Sequence, residues 1–131
     1  MSWNSLLHNP EGITAVYGGD PPDLSGVRLR ELTLHEDGPT LTVRLDLPAY
    51  PNQPPRKWAA QGFNTVQIEL SLSGLRSIEL EGFASEVTAD VFLSEGDGIA
   101  VDITSPHTRV QAVADTVYMA KLTAYTDESR P

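Results

Sequence analysis

From Val27 to Ala114, apolar residues recur at every second position in short runs broken by turn residues. Successive side chains of a strand point to opposite faces, so this period describes half-buried β-strands rather than amphipathic helices. Val27 and Leu29 alternate with Arg28 and Arg30. The parity then moves to Leu32 and Leu34, which predicts a bulge near Glu31. "HEDGPT" contains Asp37-Gly38, a hairpin signal. The return strand places Leu41, Val43, Leu45 and Leu47 on one face and Thr40, Thr42, Arg44 and Asp46 on the other. "TVQIELSL" turns Val66, Ile68, Leu70 and Leu72 inward. Ser73-Gly74 then predicts a turn, after which "LRSIELEGF" runs back with Ile78 and Leu80 inward. "VTADVFLS", "IAVDIT" and "TRVQAVA" follow as strands, separated by turns at "EGDG" and Ser105-Pro106-His107. These patterns predict a mainly β fold, an antiparallel sheet or sandwich of about seven to eight strands. Either two layers cover each other, or one strongly curled sheet is closed by helices from the N-terminus.

Helix is expected at the two ends only. Ser2 can cap a short turn carrying Trp3, Leu6 and Leu7. In "NPEGITAVYGG", Asn9 is a candidate N-cap, Pro10 suits the first helical position and Gly18-Gly19 ends the helix. "DTVYMAKLTAYT" is ambiguous: Val117 and Met119 fit a strand, whereas Tyr118, Leu122 and Tyr125 fit a helix. Residues 127–131 are expected to fray.

The connection from Pro48 to Asn64 is long for a compact domain, and long ordered loops usually carry function. Its prolines stiffen it, and Tyr50, Trp58 and Phe63 can anchor it. Trp58 either plugs the open end of the sheet core or anchors a partner, with Arg56 and Lys57 beside it.

The 131 residues are expected to form one domain, 1–131, large enough to fold without a staple. Cysteine is absent, which excludes disulfides and thiolate chemistry and suits a reducing cytoplasm. The start "MSWNSLLHNPEG" has no basic, apolar signal-peptide pattern, and no apolar run approaches a membrane span. The net charge of −9 repels nucleic acid and anionic membranes and attracts a basic partner.

No chemical signature emerges. His8, His35 and His107 are scattered without metal-ligand spacing. No nucleophile elbow exists, and "YGGDPPD" lacks the lysine of a phosphate loop. "EGDG" is too short for a calcium loop. Glu79 and Glu81 share a strand face, but opposite Ile78 and Leu80 they should be solvated rather than catalytic. No catalytic residue, metal or cofactor is therefore expected.

Acids are concentrated between Ser77 and Asp102, where Glu79, Glu81, Glu86, Asp90, Glu95, Asp97 and Asp102 occur without a lysine or arginine. Strand parity sends Glu79, Glu81, Asp90 and Asp102 outward. Such a face is either an ordinary solvated surface or a docking surface for a basic protein.

The Trp3-containing start, "VYGG" before a Pro-Asp loop, "HEDGPT" between two strands and the passage from "PPRKW" to "GFNTVQIEL" resemble the immunity protein 50 family of bacterial polymorphic toxin systems. The resemblance runs from about residue 3 to residue 125. It implies a largely β-stranded, non-enzymatic domain that binds a cognate toxin and blocks it, with no catalytic residues. The candidate partner-binding residues are thus Glu79, Glu81, Asp90, Asp102, Arg56, Lys57 and Trp58. The alternative is a small β-rich ligand-binding domain or enzyme with a pocket under the 48–64 loop.

Overall fold

The computed structural model describes residues 3–18 and 20–130. Among these, six strands form a closed antiparallel barrel in the order β1-β2-β3-β6-β5-β4. They are β1 (Ser25–His35), β2 (Thr40–Asp46), β3 (Thr65–Glu81), β4 (Val87–Gly96), β5 (Gly98–Thr104) and β6 (Arg109–Tyr125). The fold is mainly β, as the alternation predicts, and one curled sheet rather than two layers satisfies it. Its interior is filled by the alternate apolar residues of every strand, among them Val27, Leu45, Ile68, Leu72, Val91, Ile103 and Val110. Every strand therefore buries one face without leaving an open sheet, which is what closure achieves.

The strand count is six rather than seven or eight because two expected pairs of strands are each one long strand. Ser73-Gly74 does not turn the chain. Gly74 takes the left-handed conformation (φ 66°), and the register slips between Leu75 and Ser77, so β3 kinks and continues. A left-handed glycine serves a tight turn or a bulge equally well, and here the partner strand continues beside it. Leu80 shares the inward parity of its partner Val110 yet is 51% exposed, because β2 accompanies β3 only as far as Ser73 and leaves the lower half of β3 uncovered. At the other end of the ribbon, Leu70 pairs with Met119 and Glu69 with Lys121, leaving Ala120 as the extra residue. This bulge explains the ambiguous reading of 115–126. The inward parity passes from Val117 and Met119 to Leu122, which imitates helical spacing inside a strand. The bulge near Glu31 is present, with the register slipping between Leu29 and Glu31.

Two helices accompany the barrel, α1 (Glu11–Tyr17) and α2 (Arg56–Gln61), after a short 3-10 turn at Trp3–Leu6. α2 lies inside the long connection, where no helix was expected. Pro55 precedes it, and Gly62, left-handed at φ 68°, closes it. Asn9 is not the cap of α1, whose N-terminus has no side-chain cap. Instead Asn9 reaches β6: its Nδ2 donates to Met119 O at 3.0 Å, and Met119 N–H donates to its Oδ1 at 2.8 Å. His8 N–H donates to Val117 O at 2.8 Å. The N-terminal segment thereby covers the edge of β6 beyond Ala114, where β5 no longer pairs. Trp3 is buried, and its Nε1 donates to Pro22 O at 3.0 Å. The expected cap Ser2 lies outside the described residues, as do Gly19 and Pro131.

The described part of the tail, residues 127–130, is tied down rather than frayed. Asp127 N–H donates to Asn64 Oδ1 at 2.8 Å, Asn64 Nδ2 donates to Asp127 O at 3.0 Å, and Arg130 Nη2 donates to Leu47 O at 3.0 Å. These bonds strap residues 127–130 to the ends of β2 and β3.

Candidate partner-binding surfaces

The registers of β4, β5, β6 and β3 place the outward residues in rows. One row runs Phe92, Asp102, Gln111, Glu79; the next runs Asp90, Thr104, Arg109, Glu81. Glu79 and Asp102 are thus separated by one strand, and Glu81 and Asp90 by two. At the usual strand spacing these separations are about 10 and about 14 Å. The strands bearing the acids are not all neighbours, because β6 inserts between β3 and β5. It brings Arg109, whose Nη2 lies 3.6 Å from Asp102 Oδ2. The second Asp102 oxygen, Oδ1, is enclosed and has no hydrogen-bond partner.

Asp90 has a different role from the other three acids. Its Oδ1 accepts from Gly26 N–H at 2.9 Å and from Ser25 Oγ at 3.0 Å. These bonds fall where the register slips between Ser25 and Val27, at the seam of β1 and β4 that closes the barrel. Glu79 and Glu81 are exposed. Above them Arg76 pairs with Asp115 at 2.7 Å and donates to the carbonyl of Asp97, bracing the β4–β5 turn against the kink of β3.

Arg56, Lys57 and Trp58 lie on α2, near the opposite end of β3. Arg56 and Lys57 are exposed. Trp58 is half-buried, packs against the core and meets the ring of Tyr50 at 6.3 Å. Thr65 and Glu79 lie fourteen positions apart along β3, so the two groups of candidates belong to two surfaces.

A cleft of about 590 Å³ lies between α1 and the connection, lined by Val16, Tyr17, Asp20, Tyr50 and Pro51 among others. Tyr17 Oη donates to Ala49 O at 2.6 Å, and burial pushes its pKa well above the usual tyrosine range. The Tyr50 hydroxyl is enclosed without a partner, and burial raises its pKa too. Among the described residues, no group of three or more histidines, aspartates and glutamates could hold a metal ion.

A fully buried, multiply bonded carboxylate lies elsewhere and was not singled out in the sequence. Asp46, on the outward parity of β2, is 0% exposed. Its Oδ2 accepts from Arg30 Nε at 2.7 Å and Tyr125 Oη at 2.5 Å, and its Oδ1 accepts from Gln67 Nε2 at 2.9 Å. Tyr125 Oη in turn accepts from Arg30 Nη2 at 2.9 Å. The hydrogen bond to Asp46 holds the Arg30 pKa above its usual value; burial and then the Asp46 bond do the same for Tyr125. Asp127 stands 3.5 Å from Arg30, and its bonds from Ser129 hold its carboxyl below the usual range. The available signal was Arg30 itself, the residue at which the parity of β1 breaks: a bulge re-aims its side chain.

A family model described as Immunity protein 50 matches residues 9–125, most of the chain. No curated protein and no solved structure matches it. With the mainly β architecture in place over the same span, this chain belongs to the immunity protein 50 family.

Proposed function

We propose that this chain is an immunity protein of a bacterial polymorphic toxin system: it binds a cognate toxin and blocks it without catalysing a reaction. The family membership carries this reading. The docking surface is the outer face of β4, β5, β6 and the lower half of β3. There Glu79, Glu81 and Asp102 stand on neighbouring rows, and Phe92 is 64% exposed. An exposed aromatic beside carboxylates suits a basic protein partner, and the net charge of −9 speeds its approach while repelling nucleic acid and anionic membrane. The absence of cysteine suits action in the cytoplasm.

The test is co-expression with the toxin encoded beside this chain's gene. Growth should be rescued, and the two proteins should co-purify. Continued killing, with no complex, would remove the reading.

A second reading has one observation in its favour. The cleft between α1 and the connection is lined by Tyr17, Tyr50 and Asp20, as a small-ligand site could be. Apart from its tyrosines the lining offers one ionisable group, Asp20, and so no carboxylate pair for acid–base work. Ligand binding fits it better than catalysis. Toxin rescue by a variant with the cleft filled, Ala15→Trp, would separate the two readings.

A further inference from the structure

On the outer face the row Phe92, Asp102, Gln111, Glu79 borders a shallow trough of about 350 Å³, with Ala100 and Val113 in the row behind it. The trough is open, apolar along its floor and acidic at its rim. No lysine or arginine lines it. Phe92 projects beside it, 64% exposed although phenylalanine has no polar edge to offer water. Asp102 is short of donors: Arg109 approaches one oxygen at 3.6 Å, and the other is enclosed and accepts nothing.

We propose that this trough receives an arginine side chain of the toxin, an inference that rests on the immunity reading. The methylene stem lies over Ala100 and Val113, and the guanidinium plane packs on the Phe92 ring. Its donors reach the outer oxygen of Asp102, the one Arg109 approaches, while Glu79, at the far end of the row, adds its charge at longer range. Arginine fits better than lysine. Its planar, weakly hydrated head stacks on an aromatic ring while its edge keeps several donors free for a carboxylate. The pairing also explains why an acidic surface keeps an exposed phenylalanine in its midst.

Two measurements test this, one of them independent of the toxin. N-acetyl-arginine amide is titrated at millimolar concentration into the isotopically labelled protein and followed by NMR. Saturable shifts should cluster at Phe92, Ala100, Asp102, Gln111 and Val113, and should disappear in Asp102→Asn. N-acetyl-citrulline amide, of similar shape but uncharged, should give none. In parallel, Phe92→Ala and Asp102→Asn are compared with wild type for binding to the adjacent-gene toxin, with melting temperatures as controls. Each variant should bind about tenfold more weakly or worse while remaining folded. If arginine shifts nothing in the trough and folded variants bind as tightly as wild type, the arginine inference is overturned while the immunity reading stands. If wild type itself neither binds nor neutralises the toxin, the immunity reading falls, and the inference falls with it.

Discussion

Arg30 Nε donates to Asp46 Oδ2 at 2.7 Å across the outside of the barrel wall, joining the bulge of β1 to the end of β2. The strand parity directs Asp46 toward water, yet no part of it is exposed. Arg30, Tyr125 and Gln67 enclose it and supply its hydrogen bonds, so the charge is compensated where it is buried.

Removing Asp46 should therefore be costly. Asp46→Ala strands the Arg30 guanidinium and the Tyr125 hydroxyl in a partly buried site, at a cost of about 3 kcal/mol. Urea denaturation measures it. A double-mutant cycle with Tyr125→Phe should show clear coupling, because the two side chains share one network.

The buried tyrosines predict a one-sided pH dependence. Folding raises the pKa values of Tyr17, Tyr50 and Tyr125 above the usual 10.0, in each case chiefly through burial. Above that pH the unfolded chain releases phenolic protons that the folded chain retains. Stability should be full below about pH 10 and fall as the pH rises beyond it. Urea midpoints measured from about pH 8 to about pH 11 should trace the decline, and Tyr17→Phe should flatten it.

Trp58 is half-buried against the core and the Tyr50 ring, short of full enclosure. Trp58→Ala should cost about 2–3 kcal/mol, less than a tryptophan lost from a sealed core. Arg56→Ala and Lys57→Ala, at exposed positions of α2, should change stability by no more than about 0.5 kcal/mol. Thermal or chemical melts check all three. Weakened toxin binding by folded Arg56 or Lys57 variants would move the interface to this end of the barrel.

The outward acids should divide into two kinds. Glu79→Gln with Glu81→Gln should leave stability within about 0.5 kcal/mol of wild type while slowing association with a basic toxin several-fold at low salt. Asp90→Asn should lower stability by about 1 kcal/mol, because its carboxylate serves Ser25 and Gly26 at the closing seam. Stopped-flow association at two salt concentrations, beside melting curves, distinguishes the classes.

Much of the barrel could be read from alternation alone, since burial of one face enforces a period of two whatever the strand order. The bulge of β1 was legible because Leu32 and Leu34 break the parity of Val27 and Leu29. The bulge of β3 was misread as a turn, because nothing local shows that β6 continues past Gly74. The bulge of β6 carries no glycine at all; only the shifted parity of Leu122 betrays it. The outward direction of Glu79 and Asp102 was likewise local information. Their neighbours were not, because strand order decides that Gln111 of β6 stands between them and that Arg109 comes beside Asp102. The burial of Asp46 was hidden for the same reason, since Tyr125 follows it by 79 positions.

The ribbon of β3 and β6 has a consequence for how the protein is made. Thr65 pairs with Tyr125, and His8 bonds to Val117, so both the early strands and the N-terminal cover await the last strand. A chain emerging from the ribosome cannot close this barrel until β6 has left the exit tunnel. Folding must then assemble contacts remote in sequence, which are slow to form. On the immunity reading, a newly synthesised copy gives no protection until β6 has been made and has paired with β3. On the same reading, a cell needs a standing pool of folded molecules before the proposed toxin arrives.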